Sequence, residues 1–99
     1  MWKKLNFEVG EKGTEGGIVV MDEEYKRACR ITLEKCEKYY AITCGVYGAM
    51  VHTVFCNEKD SKEIYKAMKH DLAEFIDRET TEQEEFDFYE LFTSKYQIQ

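Results

Sequence analysis

The chain has 99 residues, 43% of them hydrophobic and 14% aromatic, enough for one domain with its own core and too apolar for a disordered segment. The formal charge is −6: residues 1–40 carry eight basic and eight acidic residues, whereas residues 57–99 carry six and twelve. An excess of acid concentrated in the C-terminal part argues against binding to a nucleic-acid backbone, which needs a basic face; it permits a basic protein partner, the alternative being a solvated acidic surface.

Residues 2–9 alternate, with Leu5, Phe7 and Val9 on one side and Lys4, Asn6 and Glu8 on the other. That is the period of a half-buried strand. The same segment has no apolar run of the kind that opens a secretory signal, so a cytoplasmic location with reduced cysteines is expected. Gly10–Gly17 (GEKGTEGG) is a polar glycine-rich loop. Loops of this composition can cradle phosphate, but no Lys-Ser/Thr follows and the next residues read as strand, so a mobile hairpin connection is expected. A short strand over about 17–22 ends in Asp22-Glu23-Glu24, a turn by composition. Residues 25–34 then alternate again, with Tyr25, Cys29, Ile31 and Leu33 on the apolar side.

Tyr39–Cys56 (YYAITCGVYGAMVHTVFC) holds no Asp, Glu, Lys or Arg in a protein that is 34% charged. It is too rich in Gly, Thr and Tyr for a membrane helix. As one strand it would run roughly 60 Å, too long for a domain of this size. Gly45 and Gly48 bracket a reversal, which makes two strands of about 38–46 and 49–56. The spacing predicts Leu33 beside Tyr40, Ile31 beside Ile42 and Cys29 beside Cys44. An even-length reversal adds Val51, Thr53 and Phe55 to that face. It leaves Tyr39, Ala41, Thr43, Met50, His52, Val54 and Cys56 on the other, a set too apolar for open water.

A helix over about 61–78 follows, with Asp60 as its cap and Ile64, Met68, Leu72, Phe75 and Ile76 as its stripe. A second, over about 81–95, begins at the capping box Thr81…Glu84 and gathers Phe88, Tyr89, Phe92 and Tyr96 on one side. A strand over 85–92 is the alternative reading. The expected fold is therefore a single α+β domain over 1–99: an antiparallel meander sheet of about five strands (2–9, 17–22, 25–34, 38–46, 49–56) covered on one face by the long helix, then an acidic aromatic helix.

Three constellations bear on function. Cys44, His52 and Cys56, with Met50, would share one side if the chain ran straight through Gly45–Gly48 or turned there with an odd-length loop. Their spacing fits no standard zinc pattern, so buried thiols are the expected role and no metal or cofactor is assigned. His52 lies inside an uncharged strand with Thr43 as its expected cross-strand neighbour, so His52, Thr43 and Cys56 outline a small-molecule pocket or the seed of a small enzyme site. No G-x-S-x-G, H-E-x-x-H, phosphate-loop lysine or calcium loop is present, and no catalytic residue is named. The third is the acidic C-terminal segment with Phe86, Phe88, Tyr89, Phe92 and Tyr96, where interleaved aromatics and charge suit a partner surface. The expected function is thus a small acidic interaction or regulatory protein, self-associating or bound to a basic protein. Neither a membrane nor a nucleic-acid partner is expected.

Overall fold

The uncharged middle of the chain folds back on itself as a strand pair, and the sheet is built outward from it. A computed structural model describes residues 1–5 and 8–97. Strands β1 (Trp2–Lys4), β2 (Ile18–Tyr25), β3 (Cys29–Lys35), β4 (Tyr40–Val46) and β5 (Met50–Cys56) form one antiparallel sheet in the order β1-β2-β3-β4-β5. Helices α1 (Glu58–Asp77) and α2 (Glu82–Lys95) follow. The α+β meander is therefore as the sequence predicts, with the C-terminal segment helical rather than extended.

The helices cover one face of the sheet. Cys29, Ile31, Leu33, Ile42, Cys44, Val46, Val54 and Cys56 form a floor beneath Tyr65, Met68, Leu72 and Phe75 of α1. Burying each large α1 side chain is worth about 1.5–3 kcal/mol, far more than helix propensity supplies. Phe92 and Tyr96 of α2 join the same core. Asn57, not Asp60, caps α1: its side-chain oxygen accepts from the Asp60 N–H at 2.9 Å, which places Asp60 inside the first turn. The Thr81–Glu84 capping box of α2 forms in both directions, at 3.2 and 3.1 Å.

Three expectations need correction. Asp22, Glu23 and Glu24 do not turn; they continue β2, and the reversal falls at Lys26 and Arg27, both left-handed with φ of 50° and 57°. The strand passes through three acids because each finds a partner. Asp22 meets Arg30 and Thr32, Glu23 meets Tyr65 and Lys69, and Glu24 meets Tyr47. Next, β3 and β4 pair two residues along from the expected register, with Leu33 opposite Ile42 and Ile31 opposite Cys44, because the loop Cys36–Tyr39 has four residues. A shift of two preserves the faces.

The third correction changes a face. Val46 pairs with Met50 across a three-residue loop, so the reversal is odd. Gly48 takes the positive φ of 76°, whereas Gly45 lies within β4 opposite Val51, where an added Cβ would stand 2.8 Å from the Met50 carbonyl oxygen. Only one of the two glycines serves the turn. Met50, His52, Val54 and Cys56 consequently face the helices, and Val51 is 79% exposed on the other side. At the N-terminus β1 is three residues long, against the eight expected; of the expected apolar positions, Phe7 lies outside the described residues.

Candidate interaction surface

The second face of the sheet is only partly covered. Its cover is the glycine-rich loop, tied to β2 by the Gly10 N–H to Val19 carbonyl bond at 2.8 Å and the Val19 N–H to Glu11 carbonyl bond at 2.9 Å. The loop is also held from below. Glu34, on the outward side of β3 and 1% exposed, accepts from the Gly17 N–H at 3.2 Å and from the Glu15 N–H at 3.2 and 3.3 Å. Backbone donors of a glycine-rich turn form a ready anion cradle, and here the anion is the protein's own carboxylate. The loop is pinned rather than loose. Gly13 sits tightly at this closure: a Cβ there would fall 2.2 Å from the Glu34 carboxyl carbon, so the carboxylate would have to move.

Beyond the loop, the face opens into a groove of about 630 Å³ over β3–β5. Arg30, Thr32, Thr43 and Gly45 are among its lining, with Glu8 and Thr14 from the loop side and Tyr47 and Val51 from the β4–β5 hairpin. Arg30 clamps the buried carboxylate of Asp22 with two nitrogens, Nε at 2.8 Å, and reaches Glu8 at 3.2 Å. The hydrogen bond to Asp22 holds the guanidinium firmly protonated. Tyr47 donates to Glu24 at 2.6 Å, and burial together with that bond pushes its hydroxyl up to about 12. Thr43 and Thr53 pair across the strands at 3.3 Å, and Tyr39 meets Phe55 edge-on with ring centres 5.3 Å apart.

The two edges of the sheet differ in kind. β1 is three residues long and carries Lys3 and Lys4, both exposed, which is how natural sheets blunt an edge. β5 is seven residues long (MVHTVFC) and carries no charge. It is the terminal strand, hydrogen-bonded to β4 on one side, and among the described residues no strand lies beyond it in the sheet order.

The residues singled out from sequence fall in separate places. His52 and Cys56 face the helices, while Thr43 lies on the opposite face and pairs with Thr53, so the three do not converge. The cross-strand neighbour of His52 is Cys44, not Thr43. The His52 ring stands against Phe92, its Nε2 meets the Tyr96 carbonyl, and it lines neither the groove nor the smaller cavity formed by Lys38, Tyr39, Phe55, Cys56 and Asn57. Cys44, Cys56 and Met50 share its side of the sheet, yet among the described residues no three side chains gather as metal ligands. All four cysteines are free thiols. Burial pushes Cys29 up to about 11 and Cys44 up to about 12, which disfavours the reactive thiolate.

Of the five aromatics assigned to a partner surface, Phe92 and Tyr96 are buried, and Phe88 and Tyr89 are half-buried against Phe75, with Phe88 stacked on it at 4.0 Å between ring centres. Phe86 remains 60% exposed, as does Leu91 at 71%, both on a helix rich in acids. The sequence gives no role in a site to the buried acids Asp22, Glu23 and Glu34, nor to Arg30, which clamps Asp22. The alternation of β3 does put Arg30 and Glu34 together on the outward side, but nothing in it identifies the loop as the partner of Glu34.

Among the described residues no helix is long and apolar enough to cross a membrane. Comparison with protein-family models, with curated proteins and with solved structures finds no match to this chain.

Proposed function

We propose that this chain is a small interaction module that binds an extended segment of a partner at its β5 edge, with partner side chains seated in the adjoining groove. The observation carrying this reading is the uncharged, seven-residue terminal strand beside an open cavity. Strand addition draws affinity from main-chain hydrogen bonds and specificity from pockets for alternate side chains, and the two features supply one of each. Val51, exposed on the groove side of β5, is the side chain at their junction. Free thiols throughout fit a reducing compartment such as the cytosol.

The test is an NMR titration with a short uncharged peptide of alternating valine and threonine. Amide shifts confined to Met50–Cys56 and to the groove residues Thr43, Tyr47 and Val51 are expected. Shifts mapping to the helices, or none at millimolar peptide, would refute strand addition.

A second surface favours a basic partner. On α2 the exposed Phe86 stands among Glu82, Asp87 and Glu90, an apolar side chain ringed by charge that steers a cation. Phe86→Ala is expected to weaken capture of a lysine-rich peptide by about tenfold, read by calorimetry at low and at physiological salt. Equal affinity for both proteins would remove Phe86 from that surface.

A further inference from the structure

The geometry points to a second copy of this chain as the occupant of the β5 edge, the two copies pairing antiparallel about a twofold axis at Thr53. This inference rests on the reading of β5 as a binding edge and names what binds there. Self-pairing requires that the strand be complementary to its own reverse, and Met50–Cys56 is. With Thr53 on the axis, Thr53 lies opposite Thr53, Val51 opposite Phe55 of the second copy, His52 opposite Val54, and Met50 opposite Cys56. Each pair joins residues of the same face, as antiparallel pairing demands. On the open face Val51 and Phe55 would stand side by side, a β-branched–aromatic pair of the kind that stabilises adjacent strands. Both are accessible, Val51 at 79% and Phe55 in part.

Charge selects the same place. Two molecules of net charge −6 repel, so an interface between copies has to lie where neither brings an acid to the contact. Along the seven residues of β5 there is none, and just beyond them Gly48 and Ala49 would meet Glu58 and Asn57 of the second copy, so acid never faces acid. The opposite edge, with Lys3 and Lys4 on three residues, would set lysine against lysine. On the helix side α2 meets β5 at His52, through Phe92 and Tyr96, on the Met50 side of the proposed axis. The result is a continuous ten-stranded sheet with both grooves on one side and all four helices on the other. An edge this short makes a small interface, so a dissociation constant of roughly 1–100 µM is expected.

Sedimentation velocity over roughly a hundredfold concentration range tests this with the wild type and two variants, Val51→Lys and Phe55→Glu, which place charges at positions facing solvent in the monomer. Wild type is expected to pass from monomer to dimer. Each variant, folded by circular dichroism, should weaken the dimer at least tenfold. An equimolar mixture of the two should recover it, since Lys at 51 then faces Glu at 55 across the axis. Recovery on mixing is specific to this register and would not follow from loss of general stickiness. A wild type that stays monomeric, a dimer untouched by either variant, or variants that fail to rescue one another would each overturn the inference. Should Phe55→Glu disturb the fold, Val51→Lys alone decides, because its side chain is outside the monomer's packing. A monomeric wild type that still shows peptide-induced shifts along β5 would sink the second copy and leave the edge reading standing; loss of both would sink the two together.

Discussion

Removing the Glu34 carboxylate should release the glycine-rich loop. The side chain is 1% exposed and accepts two backbone N–H groups, from Glu15 and Gly17, at 3.2–3.3 Å; the Thr14 hydroxyl at 3.5 Å is too long to count for much. Hydrogen bonds to a charged acceptor contribute about 1.5–3 kcal/mol each, and the lower value applies at these lengths. Two bonds then give about 3 kcal/mol, partly offset when the freed loop regains backbone entropy and solvates its N–H groups. Glu34→Ala is expected to cost about 2–3 kcal/mol in urea unfolding, or a melting temperature lower by roughly 10 °C for a domain this size. Trypsin should cut after Lys12 much faster in the variant than in the wild type, because the loop opens without global unfolding. Gly13→Ala presses a methyl onto the same carboxyl group and should expose Lys12 likewise, but add little in the Glu34→Ala background, where the obstacle is gone. A Glu34→Ala protein within about 0.5 kcal/mol of wild type, with unchanged cleavage at Lys12, would refute the latch.

Four further outcomes follow from the same structure. Arg27→Gly should stabilise the protein by about 0.5–1 kcal/mol in urea unfolding, since glycine relieves a left-handed φ of 57° at the β2–β3 turn. Lys69→Ala should destabilise by about 2–3 kcal/mol, because it strips the 2.7 Å ion pair from a nearly buried Glu23; the penalty falls short of a fully buried pair since Lys69 keeps 22% of its side-chain exposure. In a thiol-titration assay at pH 8, Cys36, half-buried and with its thiol pushed up by burial, is expected to be the first of the four to react in the native protein, more slowly than a free thiol. Cys29, pushed up to about 11, is ionised to only about one part in a thousand there and, like buried Cys44 and Cys56, should react only on unfolding. The hydrogen bonds from Lys26 and Tyr25 hold the Asp77 carboxyl below the usual carboxylate range. A depressed carboxylate contributes stability above its unfolded pKa of about 4 and loses it as the pH falls through the lower folded value. Asp77→Asn should therefore flatten part of the acid limb below about pH 4 in a pH series of urea midpoints, and leave the slope above pH 6 unchanged.

Particular elements show why some of this was legible beforehand. The α1 stripe, the Thr81 capping box and the alternation of β3 are local patterns, fixed by the 3.6-residue and 2-residue periods of the backbone, and each survives in the fold. The Asp22-Glu23-Glu24 triplet misleads because a run of acids reads as solvated turn until partners from Arg30, Tyr65, Lys69 and Tyr47 arrive from elsewhere in the chain. Two left-handed residues at Lys26 and Arg27 carry no glycine to announce them. The aromatics of α2 could serve a partner or the core equally well, and the stacking of Phe88 on Phe75 records their use inside.

By itself the amino-acid sequence determined the class of the fold, the meander of hairpins, the two helices and the place of the uncharged core strand, because these depend on periodicity and on where charge is absent. Only the tertiary structure decided which side of β5 is inside. Met50, His52, Val54 and Cys56 on one side are no more apolar than Val51, Thr53 and Phe55 on the other, so hydrophobic patterning cannot choose between them. One residue of loop length settles the choice. That choice turns His52 and Cys56 toward the helices and leaves Val51 exposed beside the groove.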